Sequence, residues 1–312
     1  MNRIQRITIV IALAISVQFA VAQDKLNFAL RLEAGSSFLS TFDASQNITQ
    51  TVDGEKQELT QEMFMSWIYD VQSRDKSGEM DIRLTYKRIK VLQDYGEQVS
   101  EYDSENPPSF LDPSMRGLAT LPGTVLNLRL DTRGKVLKLR GVDEMLDKMI
   151  TAMQLPDSPN KENIIADLRK QFGMEAMKQS IEQATLFYPE KAVSVGQTWV
   201  QKVNLSSSLP MNIESNYSLQ SRIDGISSIS VKSDIKADTS NALRMGQLSL
   251  IYDISGNQDG LLKVDEKTGL PISSELNSSY SGNVIVAGVA DDDKQSWPIS
   301  AVGSVKATFQ KQ

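Results

Sequence analysis

Cysteine and histidine are both absent from this 312-residue chain. Without thiols there is no disulfide framework and no cysteine to carry a lipid. Without imidazole there is no Ser-His or Cys-His nucleophile, and zinc or copper sites built on nitrogen and sulfur ligands are excluded. Carboxylates, lysine, tyrosine and hydroxyls are what remain for catalysis. Aromatic residues are sparse, at 6%. Basic clusters are lacking as well: 33 Lys and Arg stand against 39 Asp and Glu, a formal charge of −6. An acidic chain of this kind suits neither nucleic acid nor an anionic membrane surface. Long apolar runs are missing beyond the N-terminal segment, so no transmembrane anchor is expected in the mature chain.

The one apolar run has a clear reading. Arg3 and Arg6 lead into Ile7–Val17, and Ala20-Val21-Ala22 forms a small-x-small cleavage site. Residues 1–22 therefore read as a signal peptide cleaved after Ala22, leaving a soluble exported protein, periplasmic or extracellular.

Most of the rest alternates with period two, the signature of half-buried antiparallel strands. Met65, Trp67, Tyr69 and Val71 share one face; a polar turn at Arg74–Gly78 follows; Met80, Ile82, Leu84 and Tyr86 alternate on the return. The parity then flips to Ile89 and Val91, which predicts a β-bulge after Tyr86 and a bent hairpin. Ile213–Ile223, an Asp224-Gly225 turn and Ile229–Ala237 repeat the pattern. Strands through Leu248–Ile254, Leu262–Val264, Ile272–Val286 and Ile299–Phe309 complete it.

Between the two meanders the period changes. Val142, Met145, Leu146, Met149, Ile150 and Met153 recur at helical spacing. Pro156 and Pro159 break that helix, and Ser158-Pro159 starts the next. The stripe resumes through Ile164–Phe172 and Met174–Ala184 and ends at Tyr188-Pro189. Asn106-Pro107-Pro108 and Asp112-Pro113 read as an irregular loop. A faint echo also runs through the chain. Gly35-Ser36-Ser37-Phe38 parallels Gly196-Gln197-Thr198-Trp199, and Leu128-Arg129-Leu130-Asp131 parallels Leu262-Lys263-Val264-Asp265. Duplicated meanders and ordinary strand-turn grammar both account for it.

Several short segments together resemble an uncharacterised exported bacterial family, domain of unknown function 6263. They are Tyr86-Lys87-Arg88-Ile89 with Tyr102-Asp103-Ser104, Leu130–Gly134 with Gly141-Val142-Asp143, and Pro189 with Val195–Trp199. The resemblance implies no activity and no catalytic residue. The outline, a meander wrapped on helices, is also similar to the half-barrels of periplasmic lipoprotein carriers, an analogy of fold alone.

Three constellations bear on function. Ser255–Gly260 with Glu266 falls in register with a calcium loop, placing Asn257, Asp259 and Glu266 at ligand positions, although Ser255 replaces the usual first Asp. The competing reading is a polar hairpin turn. Asp291-Asp292-Asp293 reads as a solvated loop. Met145, Met149, Met174 and Met177, with Trp67 facing them, could line an adaptable apolar ligand groove or simply fill a core.

The expected architecture is α+β and mainly antiparallel: curved, half-barrel-like meander sheets packed on a central helical block. The parts are a signal peptide (1–22), an N-terminal β meander (23–140), the helical block (141–189) and a C-terminal β meander (190–312). The leading function is non-enzymatic: an envelope protein, without cofactor or metal, that holds a lipid or other apolar ligand between sheet and helices. An adaptor binding another envelope protein through exposed strand edges is the alternative, and a carboxylate-only hydrolase the third.

Overall fold

A computed structural model describes residues 24–52, 54–96, 98–159, 161–205, 210–240, 242–245, 248–287 and 294–312. The signal segment and Asp291–Asp293 lie outside the described residues.

The first half forms β1 (Ser37–Val52), β2 (Glu55–Arg74), β3 (Met80–Asp94), the short β4 (Val99–Asp103), β5 (Val125–Leu130) and β6 (Val136–Arg140). The second forms β7 (Thr198–Leu205), β8 (Met211–Ile223), β9 (Ile226–Ala237), β10 (Leu243–Met245), β11 (Leu248–Asp265), β12 (Pro271–Ala287) and β13 (Lys294–Lys311). All belong to one curved antiparallel sheet, ordered β6-β5-β3-β2-β1-β13-β12-β11-β9-β8-β7, with β4 on β3 and β10 on β11. The sheet is open, with β6 and β7 at its edges. The expected bulge is present: Trp67 opposes Tyr86 while Ser66 opposes Arg88, so Lys87 is the extra residue.

The helical block falls where the periodicity placed it, as α2 (Val142–Met153), α3 (Lys161–Phe172) and α4 (Met174–Glu182). The loop expected around Asp112-Pro113 instead holds a short helix, α1 (Pro113–Leu118). Asp112 caps it, accepting the Met115 N–H at 2.9 Å, and Pro113 occupies its first turn. Six residues are too few to show a helical stripe in sequence.

The echo corresponds to matching geometry. The Gly35 N–H donates to the Val71 carbonyl and the Val71 N–H to Ser36; likewise Gly196 donates to Leu219 and Leu219 to Gln197. A register shift follows each time, at Val71/Ser73 and Leu219/Ser221. Ile82 then opposes both Val71 and Leu128, as Ile229 opposes Leu219 and Leu262. A second shift recurs at Arg129/Leu130 and Lys263/Val264. Thus β1-β2-β3-β5-β6 and β7-β8-β9-β11-β12 repeat one five-strand plan, two register shifts included, while the Lys87 bulge belongs to the first alone, and β13 joins them. Ordinary strand grammar does not reproduce two bulges at equivalent heights.

Each copy has its own core. The first is built from β1–β6, α1 and α2, joined by Leu270 from the β11–β12 turn, with Phe172 of α3 and Met177 and Ile181 of α4 packed against it. The second gathers Leu219, Ile229, Val264 and Tyr217 beneath Phe28, Phe187 and Tyr188. The extended segment 24–34 ties them: the Leu30 N–H donates to Thr132 and the Arg31 N–H to Thr268, the equivalent turns of the two copies. Arg133 reinforces the tie by donating to the carbonyls of Phe28, Tyr188 and Pro189.

Candidate functional site

Register places every second residue of the long strands on the face that carries the helices. On that face β1 shows Phe42, Ala44, Gln46 and Ile48, directly opposite Met65, Met63, Gln61 and Leu59 of β2. On β13 the same heights are Ala307, Val305, Gly303 and Ala301. The opposite face carries the charges: Asp43, Glu58, Glu62, Lys306, Glu275, Asp253, Asp259, Lys232 and Glu214 all point away. Such an amphipathic sheet must cover its apolar side.

The helices cover part of it. Beyond them the apolar face continues upward on β1 and on β7–β13. Ala301 pairs with Tyr280 and Ile48, Ile299 with Gly282, and Trp297 with Val284. Val284 in turn opposes Tyr252. Ile235, Val284 and Ala301 are buried although they belong to neither core. Ile48, Ile213, Tyr252, Ile254, Tyr280 and Trp297 are half-buried, whereas their neighbours Asn47, Asn212, Asp253, Ser255, Ser279 and Ser296 on the other face are exposed. Curvature of the sheet toward its apolar side accounts for the difference. Burial raises the pKa of the Tyr217 and Tyr252 hydroxyls, so these phenols stay neutral. The indole N–H of Trp297 is buried with no hydrogen-bond partner among the described residues.

One polar feature crosses this face. Gln201 opposes Ser215, Ser215 opposes Ser233, and Ser233 opposes Gln258. The row goes on: Gln258 pairs with Ser278, Ser278 with Gly303, Gly303 with Gln46, Gln46 with Gln61, and Gln61 with Gln93. Nine strands therefore place Gln, Ser or Gly at a single height, with apolar residues below it and above it. The Ser215 and Ser233 hydroxyls bond each other at 2.8 Å, and the Gln201 amide donates to the Tyr188 carbonyl at 2.7 Å.

The residues singled out from sequence are dispersed. Met145 and Met149 are fully buried in α2. Trp67 and Met177 pack half-buried against the same core, with the Trp67 ring 5.9 Å from that of Tyr86. Met174 is exposed. A cavity where α4 meets the sheet, bordered by Leu30, Phe38, Ile181 and Phe309, measures about 30 Å³, space for a water or two. Neither the calcium loop nor the hairpin turn exists: Ser255–Gly260 runs through the middle of β11. An extended strand rises about 3.3 Å per residue, so Asn257, Asp259 and Glu266 cannot converge on one ion. Asn257 and Asp259 point to the polar face, and Glu266 accepts from Arg222 at 2.7 and 2.9 Å and from Ser227 at 2.6 Å. The misreading came from Gly256 and Gly260, which suggest a turn but lie opposite Tyr280 and Leu276, large side chains over small.

Four carboxyls are held low rather than raised. The Arg222 bond does so for Glu266, the Arg88 bond for Asp103, and the hydroxyls of Ser77 and Ser73 for Asp75 and Asp81. A general acid needs the opposite shift.

Residues 77–271 match a family of unknown function, DUF6263. The chain belongs to this family. No curated protein matches it. Among solved structures it is similar to the lipovitellin of a study of lipid–protein interactions, at 10% identity and a TM-score of 0.44. That likeness covers 90% of this chain but only 26% of lipovitellin, so the chain spans about a quarter of that protein. An outer membrane channel from Pseudomonas putida F1 follows at 7% identity and a TM-score of 0.20, covering 90% and 97% of the two chains. OmpF of Salmonella typhi, in complex with daunomycin, gives 7% and 0.22, covering 88% and 98%. Among the described residues of this DUF6263 member, no helix is long and apolar enough to cross a membrane.

Proposed function

We propose that the protein acts outside the cytoplasm as a non-enzymatic binder of an apolar or amphipathic ligand, held on the concave sheet face beyond the helices. One observation carries the reading: on β1 and β7–β13 an apolar face without charged side chains continues past the described helices. Apolar surface left in water costs about 25 cal/mol per Å². A contiguous patch of this kind marks a place that something else covers. The ligand position differs from the expected methionine groove, because Met145 and Met149 are already consumed in the core.

Trp297 supplies the test. It stands above the polar row, beyond the described helices, whereas Trp67 and Trp199 lie below the row among core residues. Acyl chains brominated at mid-chain should quench the fluorescence of the mature protein, and Trp297→Phe should remove most of that quenching. Quenching that is absent, or unchanged in the Trp297→Phe protein, refutes this position for the ligand.

A second reading rests on β7. It is an edge strand, bordered by an open groove of about 830 Å³ along Lys25, Glu190, Lys191 and Trp199. Unpaired strand edges accept an added strand from a partner. Lipid-free protein recovered from native envelopes together with a stoichiometric partner would favour this adaptor reading.

A further inference from the structure

The neutral row divides the ligand face into two unlike parts. Well below it the apolar residues are packed under helices and the 24–34 segment, although Met63 just beneath it is exposed; above it no helix among the described residues covers them. The row is also partly unspent. The side-chain amides of Gln46, Gln61, Gln93 and Gln258 are half-buried and have no hydrogen-bond partner among the described residues. A Gln amide in such a position offers two donors and a carbonyl acceptor, all uncharged.

No Lys or Arg stands at this height on this face, nor at the two heights on either side of it, across β1, β2, β8, β9, β11, β12 and β13. The chemistry of a partner group follows. An ionised carboxylate or phosphate brought here would lose water and gain no counter-charge, which is the costly case of burial. An ester, amide or hydroxyl loses far less and is matched by the Gln amides and Ser hydroxyls. We infer that the row is the subsite for the uncharged polar group of an acyl ligand, a neutral ester or amide, whose hydrocarbon lies on the apolar zone above.

This rests on the ligand-face reading and narrows it to a class: neutral acyl esters and amides, against free fatty-acid anions. From Gly303 on β13, six residues along the strand reach Trp297. At about 3.3 Å per residue that is about 20 Å, the reach of a long acyl chain.

The experiment uses the mature full-length protein and two probes of equal chain length, a dibrominated monoacylglycerol and the corresponding dibrominated fatty acid at alkaline pH. Trp297 quenching reports binding. The monoacylglycerol should bind about tenfold more tightly or better, a lower bound for a partly desolvated charge left unpaired. The double variant Gln46→Leu/Gln61→Leu should erase that preference while still binding hydrocarbon, and Gln258→Leu, on a distant strand, should lower it alone. Melting curves establish that each variant is folded. Equal affinity for both probes, or a preference that survives all three substitutions, overturns the assignment of the row and leaves the ligand face standing. Absence of quenching by either probe overturns both.

Discussion

At the scale of single residues, two positions are sharply constrained. Gly134 closes the β5–β6 turn with φ +77°, and a Cβ there would lie 1.9 Å from the Thr185 Oγ1. Gly225 has the same φ of +77° and nothing within 4 Å. Left-handed backbone costs an alanine about 1–2 kcal/mol, and forced overpacking adds about 1–3 kcal/mol. Urea titrations should therefore find Gly134→Ala clearly more destabilising than Gly225→Ala, although both glycines have one backbone conformation. Equal losses would mean Thr185 yields freely. Glu266 is the other position. Arg222 and Ser227 hold its carboxyl below its ordinary value, and only 15% of its side chain is exposed. A carboxyl depressed in the folded state contributes stability above its unfolded pKa and loses it as pH falls through the folded one. Glu266→Gln should thus cost about 1–3 kcal/mol at neutral pH. The gap from wild type should close on acidification below the usual carboxylate range. A gap of constant size from neutral to pH 2 would assign the loss to packing rather than to charge.

At the scale of elements, the methionines of the helical block separate by burial. Met149→Ala empties a site 2% exposed and should cost about 2–5 kcal/mol. Met174→Ala, at 36% exposed, should stay within about 0.5 kcal/mol. Thermal melts of the two variants check this directly. Sequence periodicity identified the stripe but not its depth, because spacing reports which face of a helix is apolar and not how far that face is covered. The same limit explains the rest. Alternation predicted the long strands, and the parity flip after Tyr86 located the Lys87 bulge, since both are local. Ser255–Gly260 was misread because two glycines mimic a turn unless the partner strand, with Tyr280 and Leu276, is known. The neutral row was invisible for a related reason. Gln46, Gln61, Gln258 and Ser278 are far apart in the chain, and only pairing register brings them to one height. Asp112-Pro113 did carry a helix-start signal, an N-cap with proline at the first position, that the surrounding prolines obscured.

At the scale of the whole molecule, two copies of one meander meet at β13 and are stitched across their turns by residues 24–34. That segment serves both cores. Leu30 and Leu32 enter the first, and Phe28 enters the second, its ring 6.0 Å from Tyr188 and 6.1 Å from Phe187. Its backbone bonds reach Thr132 in one copy and Thr268 in the other. The segment precedes both copies in the chain, yet it can dock only once both have formed, so it is a late, non-local contribution. Its coupling role makes a definite prediction. In a chain that begins at Gly35, the turn amides of Gly134 and Gly269, bonded to Asp131 and Asp265, should both exchange faster. They belong to hairpins of different copies, although Leu270 beside Gly269 packs into the first core, so a joint loss of protection shows that the segment steadies both turns. Faster exchange at one turn alone would make the segment an accessory of that copy. Phe28→Ala in the intact chain gives the graded version: a loss of about 3–5 kcal/mol by cavity formation. If the cores are coupled, that loss should again lower protection at Gly134, beside the core that the Phe28 ring does not enter, although the Phe28 carbonyl accepts from Arg133 in the same turn.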